Sequence, residues 1–544
     1  MVGLSGEVFN ACAAVVDRHC EADADRVALI ARSHDNAGVE VRFGRLYEGV
    51  SRFAAVLDSL NVRRGDRVCV LLDPRPELYF SILGTVRVGA IAQPLFSAFG
   101  TEAIADRAAD SGACVFVTSA PYIGKVRAAL QDLPCVEHIL VLGANDIDLG
   151  PRERDFAQML DAASTERAPE STSPEDPMLL HYSSGTTGKP KGVLHVHEAL
   201  VGHALTAEVV LDLKRQDQYW CTADPGWVTG TSYGIFGPWA LGITQIAYSG
   251  GFSSAVWYEI LQSGRVTVWY TSPTALRMLM RDGTAAVEPY DLTTLRHVCC
   301  VGEPLNPEVI RWAQEAYHHV VRDTWWQTET GCIQIANYPF MEVRPGSMGR
   351  PFAGVTAAIL DPVSKVPVGP KQEGVLALKP PWPSMFREYW GKPEQYAAKF
   401  RNGWYLTGDR AYTDEDGYFW FIGRDDDVIN TSGHLVGPFE VESSVLTHEA
   451  VVEAAAFGIP DEGAGEVVAV EVVLAPGHEV SRELTRDLKT LVRRQVGSYA
   501  TPREVVAVDT LPRTRSGKIM RRVARAEFLG LPVGDVSALD ADGR

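Results

Sequence analysis

Short apolar runs and longer amphipathic stretches take turns along roughly the first 330 residues. RVCVLLD (67–73) precedes a stretch of helical spacing over Glu77–Val88, CVFVT (114–118) precedes another, and VTVWY (266–270) runs into SPTALRMLM. A short apolar run suits a strand buried on both faces, and the helix-period stretch behind it supplies the cover. The alternation predicts α/β layers on largely parallel sheets. APESTSPEDP (168–177) interrupts the series and reads as a surface loop, too short for a tether between independent domains. Beyond about residue 340, Gly- and Pro-spaced strands take over, as in GSMGRPFAGVTAAILD and GVLALKPPWP. A boundary is expected near 425, where GRDDD (423–427) sets three acids and a glycine behind the strand-like YFWFIG. The predicted organisation is a large domain over 1–425, with subdomains at approximately 1–170, 171–340 and 341–425, and a small α+β domain over 426–544.

Composition narrows the class. With 544 residues, 46% hydrophobic and 22% charged, the chain has ordinary globular content and enough length for several cores. Lys+Arg 51 against Asp+Glu 69 leaves a formal charge of -18, which repels nucleic acid and anionic membranes overall. No apolar run approaches the ~18 residues of a membrane span, and the opening MVGLSGEVFNACAAVVDRHCEAD lacks a basic n-region. The nine cysteines contain no CxxC pair, so neither a disulfide framework nor a zinc site is signalled. His181, His195 and His197 stand close in sequence without a Cys or carboxylate cluster and read as structural. No GxGxxG opens a helix after a strand. A reduced, cytoplasmic, multidomain enzyme is expected.

The strongest local signal is MLLHYSSGTTGKPKG (178–192). An apolar strand leads into Ser183, Ser184, Gly185, Thr186, Thr187, Gly188 and Lys189, with Lys191 just beyond. Small residues let backbone N–H groups approach phosphate oxygens, hydroxyls add donors, and the lysines add charge. It is not a Walker A loop, because Lys189 is followed by Pro190. YSSGTTGKPKG resembles the phosphate-loop signature of the adenylate-forming superfamily, which comprises acyl-CoA synthetases, luciferases and peptide-synthetase adenylation domains. Further stations follow in order: VGEP (301–304), DTWWQTETG (323–331), GWYLTGD (403–409), GRDDD (423–427) and PRTRSGK (512–518), so the resemblance spans roughly 25–530. ADPGWVTGTSYGIFGPW (223–239), YTSPTALRMLM (270–280) and DTWWQTETG most resemble the acetyl-CoA synthetases, particularly their shorter bacterial form.

The resemblance implies a layered α/β fold with a β-rich subdomain and a small mobile C-terminal domain, and a ligase that makes an acyl adenylate from ATP and passes the acyl group to CoA. By the same resemblance, Gly302, Glu303 and Pro304 line the adenine with Asp323, Thr324, Trp325 and Gln327. Thr328 contacts the α-phosphate, Glu329 holds Mg²⁺, and Asp409 and Arg424 take the ribose. Lys518 is the catalytic lysine, whose ammonium neutralises charge developing between carboxylate and α-phosphate. The small domain turns about Asp426, and Arg493 and Arg107 meet the CoA phosphates. Trp326 closes the acyl pocket with Trp227, Val228, Thr229 and Val301, so acetate is expected, with propionate tolerated. One position departs: in TSGHLVGPFEVES (431–443), Leu435 stands where the superfamily has a phosphate-contacting arginine. That departure keeps two alternatives open, a specialised ligase with another acid or acceptor (amine or carrier protein) and a non-catalytic adenylate-binding regulator.

Overall fold

Apolar runs followed by amphipathic stretches do form strand–helix units. Strand Arg67–Val70 leads to helix Pro76–Arg87, and strand Val268–Thr271 leads to helix Pro273–Arg281. The second helix is started by Ser272, whose Oγ accepts the Ala275 N–H at 3.2 Å, with Pro273 in the first turn. The computed structural model describes residues 9–33, 38–183, 190–425, 427–431, 434–461, 464–514, 518–533, 536 and 539.

The strands sort into three sheets. One is mainly parallel, runs from Glu153–Asp155 through Arg67–Val70 to Pro177–Ser183, and closes with the antiparallel pair Lys191–Val196 and Glu388–Tyr389. The largest sheet has a parallel centre over Val321–Trp325, His297–Cys300, Val268–Thr271, Gln218–Cys221, Thr244–Tyr248 and Val27–Arg32. It continues antiparallel through Ile335–Ala336, Ser347–Pro351, Phe419–Arg424 and Trp404–Thr413.

The expected divisions at 170 and 340 do not separate sheets. Pro177–Ser183 and Lys191–Val196 join the first sheet, whereas Val27–Arg32 and Gly38–Arg42 cross to the edge of the largest one. The β-rich stretch after 340 extends that same sheet from Trp325 onward. Crossover connections carry a parallel strand past its sequence neighbours, so the partner of a strand is set by which apolar face it can bury.

The third sheet holds Ile429–Thr431, His434–Val436, Val451–Asp461, Gly465–Leu474 and Glu504–Ala507. Helix Arg482–Gln495 covers it through Leu484, Leu488 and Val492, one residue per turn, and leaves its charged residues outside. Two polar contacts mark the seam with the larger part, and the second engages a carboxylate that is also paired within the small domain. Asn306 Nδ2 donates to Ser443 Oγ at 2.9 Å, and Glu453 stands 3.7 Å from Arg281 and 2.5 Å from Arg513. All nine cysteines are free thiols. Among the described residues, no helix is long and apolar enough to cross a membrane.

Candidate active site

Strand Val321–Trp325 ends the parallel centre of the largest sheet and delivers the residues that follow to its C-terminal edge, where open α/β sheets bind ligands. The turn Trp326–Gly331 is held from below. The Gln327 N–H donates to Thr330 Oγ1 at 2.9 Å, the Thr330 carbonyl accepts from Ser384 Oγ at 2.7 Å and Trp382 Nε1 at 2.9 Å, and the Gly331 carbonyl accepts from Ser232 Oγ at 3.0 Å. Gly331 has φ +72°, and a Cβ there would collide with the Ser384 carbonyl, which is why this turn ends in glycine. The Tyr389 hydroxyl donates to Glu329 Oε1 at 2.8 Å and fixes that carboxylate.

Asp409 and Arg424 face each other on adjacent antiparallel strands, with Arg424 Nη1 donating to Asp409 Oδ1 at 3.1 Å. The other carboxylate oxygen accepts from Trp325 Nε1 at 3.0 Å and Gln327 Nε2 at 2.9 Å, while the Tyr405 hydroxyl donates to Gln327 Oε1 at 3.0 Å. Burial raises the Asp409 carboxyl, and Arg424, the Trp325 indole N–H and then Lys518 pull it back. Asp323 is 7% exposed, and burial pushes its carboxyl up to about 8 against the Thr324 N–H.

The small domain contributes Lys518. It is held by its neighbours in the chain, with the Lys518 N–H donating to Thr514 Oγ1 at 3.1 Å and Arg513 bridging to Ile519. Two of its basic neighbours are occupied elsewhere: Arg521 pairs with both oxygens of Glu442 at 2.6 Å, and Arg513 pairs with Glu453. Lys518 keeps exposed surface inside the cleft. Crowding by protein there lowers its pKa, Arg424 adds to the lowering, and Asp427 and Glu303 oppose it. Lys518 also lines a cavity of about 40 Å³ with Arg277, Glu303, Pro304 and Arg521. The Lys518 segment, the Asp409–Arg424 pair and the 302–304 turn therefore meet at one seam.

Glu303 is committed to protein partners. Its two oxygens take Arg277 Nη2 and Thr274 Oγ1, each at 2.5 Å, and Arg277 also donates to Asn306 Oδ1 at 3.3 Å. Burial alone would raise this carboxyl, but Arg277 and Thr274 outweigh it and hold it low.

Trp326 is 9% exposed and packs in one apolar cluster with Val301, Val228, Tyr233 and Tyr270. Its Nε1 donates to the Tyr270 hydroxyl at 3.1 Å, and the Tyr233 ring meets the indole edge-on at 5.2 Å. Thr229 lies beside Val228 on the short helix Val228–Thr231. Trp227 belongs to another cluster and meets Phe96 and Phe99, each at 5.7 Å. It is the extended residue that caps that helix, so its side chain diverges from that of Val228.

Arg107 is 2% exposed, with its guanidinium over the Phe99 ring at 4.2 Å and near Tyr182, which is the setting of a core arginine rather than a surface one. Arg493 is exposed in the last turn of helix Arg482–Gln495. The histidines are buried. His181 bonds Thr231 Oγ1 at 2.7 Å, His197 accepts the Ala11 N–H at 3.0 Å, and burial lowers His181 to about 3 and His195 and His197 to about 4. Ser183 pairs with Lys191 at the stem of the expected phosphate loop, and Lys191 Nζ lies 5.4 Å from the Tyr389 ring centre. Ser184, Gly185, Thr186, Thr187, Gly188, Lys189 and Asp426, the expected hinge, lie outside the described residues, as does the Leu435 side chain.

Sequence reasoning missed Tyr389, Tyr405 and Arg277, which position Glu329, Gln327 and Glu303. A tyrosine or arginine gives no local signal of the partner it will reach from another segment. Arg277, Tyr405 and Tyr270 sat in quoted motifs, but nothing in the sequence pairs them with Glu303, Gln327 and Trp326.

The model for "AMP-binding enzyme" matches residues 16–390, and that for "AMP-binding enzyme C-terminal domain" matches residues 440–518. The chain is 46% identical over 534 residues to the acetyl-coenzyme A synthetase of Bacillus subtilis (strain 168), covering 98% of this chain and 93% of that one. An acyl-CoA synthetase structure from Brucella canis superposes with TM-score 0.76 at 37% identity, covering 97% and 96% of the two chains. An anthranilate CoA ligase in complex with anthranoyl-AMP superposes with TM-score 0.88 at 27% identity, covering 98% and 100%.

Proposed function

The chain belongs to the AMP-binding enzyme family, and we propose that it joins acetate to CoA through an acetyl adenylate. It is an AMP-forming, acyl-CoA synthetase-like ligase that activates its acid with ATP. In the first step a carboxylate oxygen attacks the α-phosphorus and pyrophosphate leaves. In the second, the CoA thiolate attacks the acyl carbon and AMP leaves. Both steps bring anions together, so fixed cations and dipoles carry most of the catalysis.

On this reading Trp326 closes the acyl pocket with Val228, Thr229 and Val301, and the packing of Trp326, Val228 and Val301 in one apolar cluster supports it. Asp409 and Arg424 hold the ribose, Gly302, Pro304, Asp323, Thr324 and Gln327 surround the base, and Thr328 meets the α-phosphate. Ser183 to Lys189 cradle the outer phosphates. Lys518 neutralises charge building between acid and phosphorus, and turning about Asp426 withdraws it so that CoA enters. Arg493, exposed as it is, suits a CoA phosphate better than buried Arg107 does.

The donor set fits Mg²⁺. One oxygen of Glu329 takes the Tyr389 hydroxyl, and its carboxylate stands apart from any cluster of three His, Cys, Asp or Glu among the described residues. Mg²⁺ commonly takes one protein carboxylate and completes its shell with phosphate and water. Bound there, it would supply charge neutralisation to the phosphates. ATP and CoA as co-substrates make a cytoplasmic location part of this reading.

The observation that carries the proposal is the convergence of Lys518 with Asp409, Arg424 and Glu303 across the domain seam. The test is pyrophosphate release across a panel of small acids with and without CoA. Turnover that needs both acetate and CoA is expected. Acid-dependent exchange without CoA turnover would favour another acceptor, and silence with every acid would refute the assignment.

A further inference from the structure

Lys399 lies outside every motif described so far. It follows helix Pro393–Ala398 and precedes the short strand Phe400–Arg401, which folds back on Trp404 and Tyr405. The Leu406 N–H donates to the Lys399 carbonyl at 2.7 Å. That hairpin sets Lys399 against the segment that leads into Asp409. A Cβ built on Gly408 would stand 3.9 Å from Lys399 Nζ and 3.5 Å from Arg424 Nη2, so both cations crowd one side of the same glycine.

The Lys399 side chain is half-buried and makes no hydrogen bond or ion pair with the described residues. The charges acting on it belong to Glu329, Arg424, Lys191 and Asp409, the groups that border the expected phosphate path. Burial lowers its pKa, Glu329 and Asp409 oppose the lowering, and Arg424 and Lys191 add to it. A lysine in such a place usually reaches for water or for a contacting carboxylate. Here Glu329 is engaged by Tyr389, and Asp409 by Arg424, Trp325 and Gln327. With Lys191 and Lys518, four cations converge around two carboxylates that already have partners. Such a set is completed by a multiply charged anion.

We propose that Lys399 binds a phosphate group of the nucleoside triphosphate during acyl-adenylate formation. The assignment rests on the proposed function and adds a residue to it. It also gives a physical reason why a chain with Leu435 in place of an arginine can hold the triphosphate: an ammonium approaching from the 399–408 hairpin supplies positive charge of its own.

The test compares Lys399→Met and Lys399→Arg with the wild type in three assays. These are the KM for ATP in acid-dependent pyrophosphate release, thioester formation from supplied acetyl adenylate and CoA, and the Kd for ATP by calorimetry. Loss of one charge-assisted contact is expected to raise the KM and Kd for ATP roughly ten- to a hundredfold in Lys399→Met. The second half-reaction should stay within about threefold, and Lys399→Arg should recover most of the loss. A wild-type KM and Kd for ATP in Lys399→Met overturns the assignment. So does an equal fall in both half-reactions with a lowered Tm, which marks a packing residue. If Lys399→Met does not fold, Lys399→Gln serves with the same criteria. Should the wild type release no pyrophosphate with any acid, the proposed function falls, while a weakened Kd for ATP in Lys399→Met would still support the lysine's assignment.

Discussion

Replacing Trp326 with glycine tests the acyl pocket most directly. The indole is 9% exposed, tethered by its N–H to Tyr270 and flanked by Tyr233, so it cannot swing aside for a longer acid. In the wild type an added methylene presses on a packed wall, at a typical cost of about 1–3 kcal/mol. In Trp326→Gly the same methylene enters vacated space and gains about 0.8 kcal/mol, or roughly fourfold in kcat/KM. Between acetate and pentanoate, three methylenes amount to about 2.4 kcal/mol, or roughly sixtyfold in relative kcat/KM. The gain should rise through four- to six-carbon acids and stop once the space is filled. Loss of a buried indole costs about 3–5 kcal/mol of stability, so the assay needs a thermal melt beside it. The assay is pyrophosphate release with a straight-chain series from acetate to octanoate. A folded variant whose chain-length profile matches the wild type would remove the indole from the acyl pocket.

Three further outcomes follow from the same geometry. Lys518→Ala should abolish pyrophosphate release while leaving CoA attack on supplied acetyl adenylate near the wild-type rate; adenylation near the wild-type rate would refute its role. Tyr270→Phe leaves the Trp326 N–H buried without its acceptor, which costs about 1–3 kcal/mol, and it should lower the acetate-to-propionate kcat/KM ratio several-fold; a stability loss with an unchanged ratio would make Tyr270 merely structural. For Asp323, burial raises the folded carboxyl to about 8, so the folded protein holds a proton that the unfolded chain releases near its ordinary value. Stability from this group is fully present below about pH 4 and is lost as pH rises through about 8. Denaturant melts of Asp323→Asn should therefore gain on the wild type from pH 5 to pH 8, and parallel curves at the two pH values would contradict the buried, protonated acid.

The strand–helix alternation was legible because each unit carries its own period, as the 67–88 and 266–281 segments do. The sheet each strand joins was not, because Val27–Arg32 finds Thr244–Tyr248 more than two hundred residues away. The site motifs were legible as strings, and the structure brings Asp409, Arg424, Lys518 and the 302–304 turn together. What the strings conceal is direction. Trp227 and Val228 are consecutive yet serve different clusters, and Arg107 turns inward onto Phe99. Lys399 sits in an unremarkable polar stretch, and only the fold of the 399–408 hairpin brings its ammonium to Asp409 and Glu329.

Trp325 and Trp326 share one further property. They are neighbours at a strand end, yet Trp325 packs with Ile335, Met348 and Tyr405 and ties down Asp409, while Trp326 packs with Tyr233, Tyr270 and Val301. The two indoles are thus the jaws of a caliper whose gap is a single peptide unit. One jaw touches the carboxylate assigned to the sugar and the other the wall assigned to the acyl tail. Nothing hinged lies between them, so the separation between the two walls is gauged by covalent geometry and stays constant wherever the lysine-bearing domain stands.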